Sequence, residues 1–512
     1  MMGRGKPEGR KPLTRGRKKS DGVVVPEKQP NKDRARARSA EDVEGRTRTK
    51  GNSGERDTCR IQSRESVKSG LARVREAARR DRKQRFTSLY HHVYNVETLR
   101  KAYRGLKRRA VAGIDGVTWR EYGKGLEEKL DDLSQRLKRG AYRAKPVRRI
   151  YIKKEDGSER AIGVPTTEDK VVQMAVVVVL NQIYEVDFLG FSNGFRPGRD
   201  QHKALDALAV SLHEKSVRWV LDADIRGFFD ALDHEWLLRF VEHRIGDKRI
   251  LRLLKKWLKA GVMEGEKHVQ TDKGAIQGGC ISPLLGNIYL HYVFDLWAHQ
   301  WRHREARATI TLARYADDLV VGFSNRADGQ RFEAALRERF AKYGLELHPE
   351  KTRLIEFGRF AETNRKKRGQ GKAETFEFLG LTHIYGKSRE GKPLLLRRTS
   401  QKRMHKKLRE VKDKLRRNLQ WSTPQMGTYL AAVLRGHVAY YGVPTNSRAL
   451  GVFRFALGYL WKRALERRSE RTRVKWTRMR RLIDKWLPPA RICHPYPSQR
   501  FYATTRGRSP VR

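Results

Sequence analysis

Two adjacent carboxylates, Asp317 and Asp318, sit in Tyr315-Ala316-Asp317-Asp318 between the apolar runs Thr311-Leu312-Ala313 and Leu319-Val320-Val321. Strand-favouring residues on both sides of a polar reversal predict a β-hairpin with two carboxylates at its tip. Side by side such charges repel, and a cation between them removes the cost. Mg²⁺ suits the pair, because it takes oxygen ligands and is held by one or two carboxylates plus substrate phosphates. Alone, the pair fits a surface turn equally well, since Asp is a common turn residue. A third carboxylate tips the reading. Val217 to Ile225 reads as a strand whose alternation puts Trp219, Leu221, Ala223 and Ile225 on one face and Asp222 and Asp224 on the other. A carboxylate closing a core strand is costly without a partner. The hairpin is its natural partner, giving Asp224, Asp317 and Asp318 around two divalent ions.

Several elements must position these groups. Asn95 is placed to cap a helix with Val96, Leu99, Tyr103 and Leu106 on one face. Arg148 to Lys154 and Arg160 to Val164 flank Glu155-Asp156-Gly157-Ser158, which predicts a basic β-ribbon. Thr166 starts a helix completed by the run Val171 to Leu180, about half the roughly 20 residues of a membrane span and so a buried core helix. Gly194-Phe195-Arg196-Pro197-Gly198-Arg199 is a constrained loop whose arginines suit phosphate contact. Asp230 and Asp233 read as helix caps. Gln277 to Leu290 reads as a loop entering a helix, with Gly278 and Gly279 allowing close backbone approach to a ligand. Arg326 to Tyr343 predicts a helix, Phe376 to Gly380 a strand, and Arg365 to Gly369 a mobile basic loop. Beyond about residue 400 only helices are expected. In the first of these Met404, Leu408, Val411, Leu415 and Leu419 form the apolar stripe, and Arg403, Lys406, Lys407 and Lys412 the opposite, phosphate-tracking face.

Composition narrows the partner. A formal net charge of +55 in 512 residues calls for a polyanion, and nucleic acid is the expectation, with no membrane. Cys59, Cys280 and Cys493 form no C-x-x-C pair, which argues against structural zinc and for a reducing compartment. Cytoplasmic, nucleoid-associated placement follows as an expectation. Residues 1–82 are basic and lack aromatics, which predicts a disordered arm, with Ser66 to Arg82 able to become a helix on nucleic acid.

Asp224-Ile225-Arg226-Gly227-Phe228-Phe229-Asp230, Gln277-Gly278-Gly279-Cys280-Ile281-Ser282-Pro283, Tyr315-Ala316-Asp317-Asp318, Glu350-Lys351-Thr352 and Phe378-Leu379-Gly380, in this order, resemble the reverse transcriptases encoded by bacterial group II introns. The resemblance runs from about Phe86 to Tyr496. It takes in the Gly194–Arg199 loop, and Leu434-Arg435-Gly436-His437-Val438-Ala439-Tyr440-Tyr441-Gly442 looks like the family's maturase or thumb segment. The implied fold is α+β: a right-hand polymerase with a palm built on an antiparallel sheet. Fingers and palm would span 83–390, a helical thumb 395–466, and a basic nucleic-acid-binding segment 467–512, without the paired cysteines of an HNH endonuclease.

The implied function is RNA-directed DNA synthesis with two Mg²⁺ ions, Mn²⁺ being a possible substitute. A second implied role is that of a maturase promoting splicing and mobility. Its partners would be group II intron RNA, a DNA target and primer, and dNTPs. By position, the resemblance implies Asp224, Ile225, Asp317 and Asp318 at the metals. Lys154 and Arg160 would hold the triphosphate, Phe229 would bar a 2′-hydroxyl, and Gln277 and Lys351 would lie near the nucleotide. Arg196, Arg199, Arg403, Lys407 and Arg435 are the expected nucleic-acid contacts. Lys153, Ala275-Ile276 and His437 depart from the family pattern without removing a ligand. Two alternatives stay open: a splicing cofactor with little polymerase activity, and a host reverse transcriptase for repair or defence without an intron.

Overall fold

The computed structural model describes residues 53–153, 159–214, 217–264, 267–269, 273–274, 278–388, 390–468 and 473–505. Eleven strands occur among them: β1 Val147–Lys153, β2 Glu159–Val164, β3 Trp219–Ala223, β4 Val262–Glu264, β5 Lys267–Val269, β6 Ile310–Tyr315, β7 Asp318–Phe323, β8 Arg353–Glu356, β9 Phe376–Phe378, β10 Leu381–Lys387 and β11 Pro393–Thr399. They make three sheets, ordered β2-β1-β4-β5, β6-β7-β3-β8 and β11-β10-β9, and helices supply the rest of an α+β fold.

The β6-β7-β3-β8 sheet is the centre of the molecule, and its neighbours pair antiparallel throughout. Its strands are apolar on both faces because both faces are covered. Leu221, Ala223, Leu312, Leu319 and Val321 enter the large core, whereas Val220, Ala313 and Val320 enter a second core beneath Gln201–Glu214 and the β9–β11 sheet. The alternation read in β3 therefore reports which core each side chain joins.

The large core is built around the helix Thr167–Asp187. Thr166 caps it by accepting from the Asp169 N–H, and Val171, Val172, Val176 and Val179 are fully buried. Against it pack Val96–Gly105, capped by Asn95, and Ser53–Arg80. The latter corrects the expectation of a disordered arm through residue 82. Leu71 and Ala78 are buried, with Val74 and Ala77 beside them, and this narrow stripe suffices to dock a helix whose other faces are charged. Residues 1–52 lie outside the described part. A second correction concerns Arg365 to Gly369: Ala361–Lys367 is a short helix, and Arg365 pairs with Glu374 at 3.1 Å.

A third core belongs to the helices Gln401–Arg417, Thr423–Tyr441, Ser447–Glu466 and Trp476–Trp486. Val411 and Leu415 are buried there and Met404, Leu408 and Leu419 pack beside them, as the spacing predicts. Met479 and Ile483 point into the same core. His437, the departure from the family pattern, stacks on Phe453 at 3.7 Å and so fills an aromatic place. The chain then returns to the central sheet. Pro497–Thr505 lies on Gln201–Glu214, where Phe501 joins Ala207 and Val210. Buried Asp206 receives Arg397 from β11 at 3.2 Å and also pairs with Arg500.

Candidate active site

The hairpin forms as predicted. In β6 and β7, Tyr315 pairs with Asp318, leaving Ala316 and Asp317 as the turn. Ala316 has φ +57°, the sign that tight two-residue hairpin turns demand. In the next strand pair Ala223 faces Leu319, so Asp224 and Asp318, one residue further on, leave the sheet side by side. Ile225, beyond Asp224, is buried and bridges to Leu347.

The carboxylates feel one another. Asp318 is exposed at its tip, but the protein mass around it, then Asp317 and Asp224, push its pKa up to about 7. Asp317 is also raised, by burial first and by Asp224, while Arg160 opposes the shift. Asp222 joins the group. Burial raises it to about 6 against the pull of Arg353, 3.8 Å away. Lys351 Nζ donates to Asp224 Oδ2 at 3.0 Å.

Among the described residues, no three Asp, Glu, His or Cys side chains converge closely enough, as placed, to enclose a metal ion. The donor set nonetheless suits one. It offers only carboxylate oxygens, the ligands hard divalent ions prefer, and their mutual repulsion is the electrostatic debt a cation relieves.

A buried arginine fixes the turn. Arg314 of β6 is fully buried and uses all five N–H donors. Two go to Asp295 at 2.7 and 2.5 Å, and the others to Asn287 Oδ1, Ser192 Oγ and the Ala316 carbonyl at 2.9, 2.6 and 3.0 Å. Asn287 in turn donates to the Gly194 carbonyl at 2.7 Å. Gly194 lies flat against the hairpin: a Cβ there would stand 2.2 Å from the Ala316 nitrogen.

The loop carrying Gly194 departs from expectation. Arg196, expected at phosphate, is buried, ion-paired with Glu185 at 3.1 Å, and donates to the Leu189 and Ser192 carbonyls. Arg199 is half-buried and donates to the Gly190 carbonyl and Asn193 Oδ1. Both guanidiniums hold the loop rather than face outward. Of the two expected caps, Asp233 accepts from Glu235 N and Trp236 N, whereas Asp230 lies inside the short helix Phe228–Ala231.

β1 and β2 form the predicted ribbon, with Ile152 opposite Arg160. Gly278 is pressed on it, since a Cβ there would be 2.4 Å from the Gly163 carbonyl oxygen. Lys154 and Gln277 lie outside the described residues. Phe229 packs on the large core below Gly286, where a Cβ would approach its ring to 3.2 Å. Arg403 is exposed and close enough to lower the Asp318 pKa. Lys407 pairs with Glu410 at 3.0 Å, and Arg435 is exposed one helix on. A groove of about 620 Å³ runs between these two helices, lined by Arg403, Lys407, Tyr429, Gly436 and His437 among others.

Asp222, Arg314, Asn287 and Gly194 were not singled out from the sequence. Alternation put Asp222 on the right face, but nothing local marks a buried arginine or the glycine that supports the turn.

Residues 152–383 match the family model for reverse transcriptases, RNA-dependent DNA polymerases, and they contain all three carboxylates and the buried arginine. This part of the chain is a reverse transcriptase domain. Several of its relatives carry introns in their names, one of them a group II intron. The chain is 37% identical over 222 residues to the group II intron-encoded protein LtrA of Lactococcus lactis subsp. cremoris, covering 43% of this chain and 37% of that protein. It is 35% identical over 238 residues to protein YkfC of Escherichia coli strain K12, covering 41% of this chain and 62% of that one. Nuclear intron maturase 1, mitochondrial, of Arabidopsis thaliana is 26% identical over 95 residues, 19% of this chain and 13% of its own. The chain thus spans less than two thirds of the length of each of these relatives. No helix among the described residues is long and apolar enough to cross a membrane.

Proposed function

We propose that this protein is the RNA-directed DNA polymerase of a group II intron and also the maturase that binds the intron RNA to promote splicing and mobility. The observation that carries the polymerase reading is the meeting of Asp224 with Asp317 and Asp318, at the ends of adjacent central strands inside a reverse transcriptase domain. A binding module has no use for a carboxylate such as Asp318, whose pKa its neighbours raise.

Asp224, Asp317 and Asp318, with the Ile225 backbone beside them, are the groups that would hold two Mg²⁺ ions, or Mn²⁺ in their place. Bound there, the ions would supply charge stabilisation for an in-line displacement at the incoming nucleotide's phosphate. The chain's own residues do the positioning. Arg160 offers cationic donors to the triphosphate from the ribbon, a role that the resemblance also implies for Lys154. Phe229, held under Gly286, is a fixed wall for the sugar, and the resemblance implies Gln277 near the nucleotide. Lys351 balances charge at Asp224. Arg403, Lys407 and Arg435 line or flank the helical groove and contact the nucleic-acid backbone, as befits a chain of this net charge.

The test is primer extension on an RNA template with Asp317→Ala/Asp318→Ala. Extension should vanish while RNA binding survives, and retained extension would refute the assignment. The names of the intron relatives favour an intron over a host role. Release of spliced exons from an intron transcript by the same double variant would separate the maturase role from synthesis.

A further inference from the structure

Phe195 has a backbone and an exposure that nothing in the fold itself demands of an aromatic residue. Its φ is +55°, in the left-handed region that bulky side chains avoid, and the residue is 56% exposed. Two anchors create the conformation. On one side Gly194 is pressed on the hairpin turn, and the Asn193 N–H donates to the Arg314 carbonyl at 2.9 Å. On the other, Arg196 is drawn inward to Glu185 and the Ser192 carbonyl. A glycine or asparagine between these anchors would meet the same φ with less strain. Instead a phenyl ring stands outside the cores, 6.5 Å from the Tyr315 ring with the planes at 44°. Tyr315 is the strand partner of Asp318, so the two rings lie at the edge of the carboxylate cluster. Strained backbone held by its surroundings, with an apolar group presented to solvent, is the signature of a binding position.

Resting on the polymerase reading, we propose that Phe195 is a nucleic-acid contact residue which, together with Tyr315, gives an aromatic surface to the terminal nucleotide of the strand that the carboxylates extend. Aromatic rings suit this place because every base has a π-face, so contact is strong without selecting a sequence. The neighbouring arginines are committed to holding the loop, which leaves the ring as the loop's outward-facing group at this point.

The test uses the full chain and an RNA template annealed to a DNA primer that carries 2-aminopurine at its 3′ end. Phe195→Asn should weaken template–primer binding about tenfold, inside the roughly 5- to 150-fold range of an aromatic–base contact. It should also relieve the quenching of the 2-aminopurine, while the melting temperature stays level or rises. Phe195→Trp should retain most of the affinity and quenching. An asparagine variant that binds and quenches as the wild type does would overturn the proposal. So would one that loses as much thermal stability as a cavity in the core causes, because Phe195 would then be holding the fold. Extension by the wild type, and its loss in Asp317→Ala/Asp318→Ala, tests the polymerase reading separately. A wild type that extends, beside a Phe195→Asn protein with undiminished binding, removes the contact residue and leaves the polymerase standing.

Discussion

Lys351 Nζ rests 3.0 Å from Asp224 Oδ2, an ammonium set on the carboxylate that follows the central strand. With side chains 63% and 29% exposed, this pair adds little to stability. Its effect is on charge, since it neutralises one member of a cluster that also holds Asp222, Asp317 and Asp318. A divalent ion held at Asp224 would compete with the ammonium. Lys351→Met should therefore leave the melting temperature of the metal-free protein within a few degrees and shift the midpoint of Mg²⁺-dependent thermal stabilisation to severalfold lower concentration. Measured without nucleotide, this separates charge balance from triphosphate contact. A midpoint moving to higher concentration would contradict it.

Arg314 makes the strongest stability prediction. It and Asp295 are fully buried, and removing one partner of such a pair strands the other. Arg314→Met should cost about 3–5 kcal/mol, read from the urea midpoint. The milder Arg314→Lys keeps a charge for Asp295 but cannot serve five acceptors. Soluble Arg314→Lys protein should retain its helical circular dichroism and extend primers at least tenfold more slowly, roughly the effect of one lost positioning contact. Undiminished extension would show that the Ala316 carbonyl needs no such anchor.

Gly194→Ala tests the same turn by crowding. The new Cβ would stand 2.2 Å from the Ala316 nitrogen and 2.9 Å from the Tyr315 carbonyl carbon, both backbone atoms that cannot swing away. Overpacking of this kind costs about 1–3 kcal/mol. Extension should fall far more than RNA binding does, because the displaced atoms carry Asp317 and not the basic surfaces. Equal loss of both would refute a local effect.

His383 sets an acid limit. It is fully buried, stacked on Phe376 at 4.8 Å and paired across the strands with Arg397. Burial first, then Arg397, push its pKa down to about 3. In the unfolded chain the same ring takes a proton near 6.5, so between these values the unfolded state binds more protons. The contribution is complete above pH 6.5 and falls by about 1.4 kcal/mol per pH unit below it, until the native ring itself protonates. His383→Phe keeps the stack and should flatten the wild type's loss of stability between pH 6.5 and 4.5 by that slope. Parallel curves would show that the ring does not stay neutral in the fold.

How much of this was legible in the sequence depended on distance along the chain. The hairpin, β3 and the caps at Asn95, Thr166 and Asp233 were legible because each is written within a few neighbouring residues. Convergence of Asp224 with Asp317 was legible only as a demand for a partner. The Arg314 network was not, since it joins Ser192, Asn287, Asp295 and Ala316 across as many as 122 positions. Arg196 misled for the same reason: its partner, Glu185, lies on the preceding helix, and a loop arginine looks free until that helix is placed. The docked helix Ser53–Arg80 was legible only as a stretch, Ser66 to Arg82, that could order on nucleic acid, because charge averaged over the arm outweighed a narrow apolar stripe of Val67, Leu71, Val74, Ala77 and Ala78.

The return of Pro497–Thr505 to the central sheet has a mechanical consequence. The helical region is seated at one end through β11 and at the other through Arg500, and both guanidiniums close on the one carboxylate of Asp206. It is a span resting on two abutments rather than an arm on a hinge. To shift against the central sheet, the span must flex along its length or lift one abutment by parting Arg500 from Asp206.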